Sequence, residues 1–92
     1  MTFRKIKDPD AVLDYSVDWS AWLVDDTITT SGWTIAGPDA SLVVDSDSKS
    51  ATAATVWLSG GAEQRKYSVT NRITTAMGRT EDRTVLIVVY SR

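Results

Sequence analysis

Two acidic pairs, Asp25-Asp26 and Asp45-Ser46-Asp47, supply the hard oxygen donors that calcium prefers. The pattern around them does not make a loop site. No glycine stands at the EF-hand turn position and no bidentate glutamate follows, and aspartate is common in loops for its own backbone hydrogen bonds. Neither a metal nor any other cofactor is expected. Ser20 and Ser59 could act as nucleophiles only beside a base, and the chain contains no histidine to serve as one. It contains no cysteine either, which removes thiolate chemistry and disulfides. Gly60-Gly61 is too short to cradle a phosphate, and a 92-residue domain seldom has the cleft that paired-carboxylate hydrolysis needs. No catalytic residue is therefore assigned.

Four tryptophans are a large allotment for this length. Trp19, Trp22 and Trp33 stand near Asp18, Asp25 and Asp26, an arrangement that could stack sugar rings in a carbohydrate-binding or adhesion module. Packing competes with that reading, because a small domain needs large side chains to close its core. Trp57 differs. Its neighbours Val56 and Leu58 have the opposite parity in a strand, so if they face inward Trp57 faces out, where it would anchor an interface.

The elements that position these side chains are strands. Val, Ile and Thr make up 27 of the 92 residues and favour a pleated sheet. Leu13, Tyr15, Val17 and Trp19 alternate with Asp14, Ser16 and Asp18, which predicts a first strand with one buried face. Ile28 and Thr30 change phase to Trp33 and Ile35, which predicts a second strand bulged near Ser31 and Gly32. Gly37-Pro38-Asp39 is turn chemistry, 42–44 a short third strand, and 45–50 a polar loop. Ala54, Val56 and Leu58 share a strand face, as do Tyr67, Val69, Asn71 and Ile73 after them. Ala76-Met77-Gly78-Arg79 then connects to a last strand over 84–90. About seven antiparallel strands without a long helix predict an all-β, two-sheet sandwich over 11–92, preceded by an N-terminal arm over 1–10.

In that last strand Val85, Ile87 and Val89 would face the core, yet Leu86, Val88 and Tyr90 on the other face are apolar too. Either the chain's own start, around Phe3 and Ile6, or another protein molecule should cover them. The expected protein interface is therefore Phe3, Arg4, Lys5, Ile6 and Lys7 in the arm, with Trp57, Leu86, Val88 and Tyr90.

The net charge of −2 gives no basic stripe for nucleic acid, and the longest apolar run is far short of a membrane helix. The start lacks a signal-peptide apolar core, and a soluble, non-secreted protein is expected. The charges are blocky. Residues 1–7 hold three cations, residues 8–60 nine aspartates against Lys49 alone, and residues 61–92 six cations against three acids. Such blocks suit head-to-tail complementarity between copies or partners, unless strands from the two halves lie side by side and cancel.

The segment Trp57-Leu58-Ser59-Gly60-Gly61, followed by Tyr67-Ser68-Val69-Thr70-Asn71-Arg72-Ile73 and Ala76-Met77-Gly78-Arg79, resembles the end of an immunoglobulin-like or fibronectin type III-like module. In such modules a corner tyrosine, here Tyr67, precedes a hairpin and a Val-rich final strand, although the Leu58 to Tyr67 spacing is longer than usual. Over nearly the whole chain, Lys7-Asp8-Pro9-Asp10-Ala11-Val12-Leu13-Asp14-Tyr15-Ser16-Val17-Asp18-Trp19-Ser20-Ala21-Trp22-Leu23, then Asp25-Asp26-Thr27-Ile28 and Trp33-Thr34-Ile35, is similar to a family of small tailed-phage fiber-tail adaptors or minor virion structural proteins. That resemblance implies a non-enzymatic virion component that works as a homo-oligomer and joins tail or neck to fiber by contacts with other virion proteins. It implies assembly in the host cytoplasm, and no catalytic or ligand residue is carried over.

Overall fold

Seven strands and one helical turn carry the chain through two stacked sheets, in a computed structural model that describes residues 2–90, with side chains from Lys5 onward. The strands are β1 (Thr2–Lys7), β2 (Leu13–Asp18), β3 (Ile28–Ala36), β4 (Leu42–Lys49), β5 (Ala53–Gly60), β6 (Lys66–Thr75) and β7 (Thr80–Val89). The helix α1 (Ser20–Leu23) follows β2. One sheet runs β1-β7-β6-β3 and the other β2-β5-β4. All pairings are antiparallel except β1 with β7. With β2 to β7 read as strands B to G, this is the immunoglobulin arrangement, its first strand moved onto the sheet of the last.

Period-2 patterning makes the core. In β6 the buried residues Tyr67, Val69, Asn71, Ile73 and Thr75 alternate with exposed or half-buried ones, and in β5 Ala54, Val56 and Leu58 do the same. One core cluster joins Leu42, Val56, Leu58, Tyr67, Val69, Val85, Ile87 and Val89; a second joins Val17, Trp19, Leu23, Ile28 and Ile73. Trp33 packs against both. The expected tyrosine corner is present, with Ala62 N–H donating to the Tyr67 hydroxyl at 2.9 Å and that hydroxyl donating to Asp39 Oδ1 at 2.8 Å.

Several expectations are corrected. The residues read as a polar loop over 45–50 are mostly strand, because β4 is an edge whose outer residues need no apolar partner. The irregularity in β3 falls between Ile28 and Thr30, not at Ser31 and Gly32: the phase slip was legible, but Gly32 sits in regular register opposite Arg72. The arm over 1–10 is largely absorbed into the sandwich, since β1 lies in parallel register along β7, Thr2 opposite Thr84 and Lys7 opposite Val89. A parallel edge strand carrying three cations has no alternation to announce it.

The charge blocks do not cancel strand by strand. β1, β6 and β7 hold six basic and two acidic residues, a formal +4, in one sheet with uncharged β3. β2 and β4 hold four aspartates against Lys49, a formal −3, in the other sheet with uncharged β5.

Candidate protein interface

β2 and β5 run antiparallel with Asp18 beside Ala53 and Leu13 beside Leu58, so the sandwich has one end at α1 and another at the β5–β6 connection. The α1 end is fastened by side-chain bonds, although Val24 and Met77 stand exposed on it. Asp18 Oδ1 accepts the Ser20 N–H and starts the turn, and Trp19 follows the strand into the core with no exposed surface. Trp19 Nε1 donates to Asn71 Oδ1 at 2.9 Å, and Asn71 Nδ2 donates to Ser31 Oγ and Gly32 O. Trp22 meets Trp19 edge-on at 5.5 Å, with Arg79 and Arg83 each 4.4 Å above one of the two rings.

Asp26 fastens the turns here. Its side chain is wholly shielded, and it accepts from Thr27 N–H at 2.8 Å, Met77 N–H at 3.2 Å and the Arg79 guanidinium at 3.0 Å. Burial pushes its carboxyl up, but hydrogen bonds from Thr75, Thr27, Arg79 and Met77 outweigh that and hold it down at about 2. One half of the calcium hypothesis is thus spoken for. In the other, Asp45 accepts from the Ser59 hydroxyl at 2.8 Å, and among the described residues no three acidic groups gather around one point.

The opposite end exposes apolar side chains. Val12, Leu13, Val43, Val44 and Trp57 are each between 37% and 56% exposed. Strand register divides them by face: Val44 and Leu13 both flank the inward Leu58, whereas Val43, which flanks Ser59, and Trp57, which lies between Asp14 and Ser46, share the outer face. On the outer face of the acidic sheet, Trp57 therefore stands among Asp14, Ser46 and Ser59, beside Asp45. Leu13 reads from sequence as part of a buried face and 42–44 as a short third strand, with Val12, Val43 and Val44 not singled out; places at the sheet edges, β2 and β4, expose them.

The residues expected to form the interface divide. The side chains of Phe3 and Arg4 lie outside the described residues. Lys5 is exposed and borders a 240 Å³ hollow between β1 and β2, beside Tyr15, Asp18 and Arg83. Ile6, Trp57 and Tyr90 are exposed at 48%, 42% and 40%. Lys7 is a correction: it is fully buried, its Nζ donating to Gly60 O at 2.7 Å and Asp8 O at 2.9 Å. Desolvation lowers its pKa against the pull of Asp8, Asp10 and Asp45. Val88 is a second correction. It has no exposed surface, lying between Ile6 of β1 and Lys66 of β6, while Leu86 is half-buried. Of the two covers expected for this strand face, β1 supplies one at Val88, and Val88→Asp should unfold the protein.

A stacking platform is not formed: Trp19 is buried, Trp33 turns toward the core, and Trp22 is partly buried under Arg79. No helix among the described residues is long and apolar enough to cross a membrane.

An immunoglobulin-like sandwich with one fastened end and one exposed apolar end belongs to the class of small all-β scaffolds that can present an end or a face to other proteins. Residues 7–88 match the sequence model of the podophage GP4 fiber-tail adaptor protein gp77, and the chain belongs to that family. Its family makes it a virion component with a structural adaptor role. No curated protein matches it.

Proposed function

We propose that the protein joins other virion proteins of tail, neck and fiber as a homo-oligomer assembled in the host cytoplasm, and that it catalyses no reaction. The observation that carries this reading is the exposed pair Val43 and Trp57 on the outer face of the acidic sheet, with Val12, Leu13 and Val44 also exposed at the same end. A large apolar group on a folded surface loses free energy by staying wet, and a partner that covers it recovers that loss. The rim is acidic, with Asp14 and Asp45 nearest Trp57, which suits a partner surface carrying lysine or arginine. Ile6 and Tyr90 are exposed at the same end on the other sheet.

The test is mass spectrometry of purified particles, counting this chain against the major capsid protein. Wild type should appear at a low fixed copy number, and a folded Val43→Ser/Trp57→Ser variant should be missing or strongly depleted. Incorporation of the variant at the wild-type level, or absence of the wild-type chain from intact particles, would overturn the reading.

A further inference from the structure

We propose that the free edge of β3 pairs antiparallel with the β3 edge of a second copy, joining two four-stranded sheets into one continuous sheet. The proposal deepens the oligomeric part of the function proposed above by naming the surface of self-association. A sheet edge presents unpaired N–H and C=O groups, and proteins guard such edges with charge, proline or irregularity. The sandwich has four edges: β1, β3, β2 and β4. The exposed Lys5 guards β1, Asp14 and Asp18 guard β2, and β4 has Asp45, Asp47 and a register shift between Val44 and Ser46. At its start β3 is covered, with Ile28 N–H donating to Ala51 O and Lys49 Nζ to Ile28 O, but over 30–36 it has no such guard. Its nine residues, Ile28–Ala36, include no charge and no proline, and after the irregularity near Thr29 the register with β6 runs unbroken over 30–36.

The same comparison selects the occupant. Pairing β1, β2 or β4 with its own copy would set like charges against each other, whereas β3 meets itself without any. A two-fold pairing centred on Trp33 places Thr34 of one copy opposite Gly32 of the other and Ser31 opposite Ile35. Gly32 leaves room, since a side chain there would meet nothing within 4 Å. Trp33 and Ile35 face the core but remain half-exposed at this edge, so a second copy would complete their burial. The contact is isologous and closes as a dimer.

Sedimentation velocity over a concentration series tests this on the full chain, with two variants at exposed, outward positions facing neutral neighbours: Thr30→Lys/Thr34→Lys and Thr30→Glu/Thr34→Glu. Wild type should dimerise, each variant alone should be monomeric with an unchanged circular dichroism spectrum, and an equimolar mixture should recover the dimer. A wild type that stays monomeric, a variant that dimerises as wild type does, or a mixture that stays monomeric would each overturn the proposal. Because this is measured on isolated protein, a monomer still incorporated into particles removes the β3 pairing and leaves the adaptor reading standing.

Discussion

The two ends of the sandwich use similar residue types to opposite purpose. At the α1 end, two tryptophans and two arginines are absorbed into one closed arrangement, with Trp19 bonded to Asn71 and Asp26 gripping the turn at Met77 and Arg79. At the other end Trp57 stands on the outer face with no aromatic neighbour opposite it in the sheet and with valines exposed nearby. The difference lies in parity and edges. Trp19 leaves its strand on the inward side, whereas Trp57 alternates with the inward Val56 and Leu58.

The most severe way to break this contrast is Trp19→Ala. Removing a fully buried tryptophan costs about 3–5 kcal/mol, and the Asn71 amide loses a partner as well. For a domain of this size, about 4–8 °C per kcal/mol puts the melting temperature at least about 12 °C lower, as thermal denaturation followed by circular dichroism should show.

Asp26→Asn should have the next largest effect. It keeps the shape but leaves the Arg79 guanidinium without its carboxylate, so the denaturation midpoint at neutral pH should fall. The sign with pH follows from the depressed carboxyl. Folding lowers it from 3.8 to about 2, so its contribution is fully present above the ordinary value and is lost as pH drops through the folded one. Denaturant midpoints of wild type and Asp26→Asn should therefore converge as pH falls from about 4 toward 2, because other carboxylates titrate equally in both. A gap that stays constant over that range would show that Asp26 acts through shape alone.

The sequence made the strands of the closed core legible because alternation reports burial directly. Tyr67, Val69, Asn71 and Ile73, and Ala54, Val56 and Leu58, are buried where their parity puts them. Edges were harder. β4 continues through Asp45-Ser46-Asp47-Ser48, which a sequence reading assigns to a loop because an edge strand with both faces wet has no apolar rhythm. Lys7 reads as a solvated cation, and only the approach of Gly60 O and Asp8 O across the end of the sandwich accounts for its burial. Exposure was legible at Trp57, Ile6 and Tyr90, and misread at Val88, whose cover comes from β1 pairing in parallel with β7. That long-range pairing leaves no local signature.

Trp57→Ser provides the smallest expected effect on the fold and the sharpest test of the contrast with Trp19. The ring is 42% exposed on the outer face, so its loss should cost about 1 kcal/mol, well below Trp19→Ala. Acrylamide quenching supplies the second measurement, since Trp19 is fully buried and Trp22 and Trp33 are partly so. The variant should lose the most readily quenched part of the fluorescence and keep the rest. A destabilisation approaching that of Trp19→Ala would mean that Trp57 braces the outer face of β5 against its neighbours, and the open end would then be a structural surface like the fastened one.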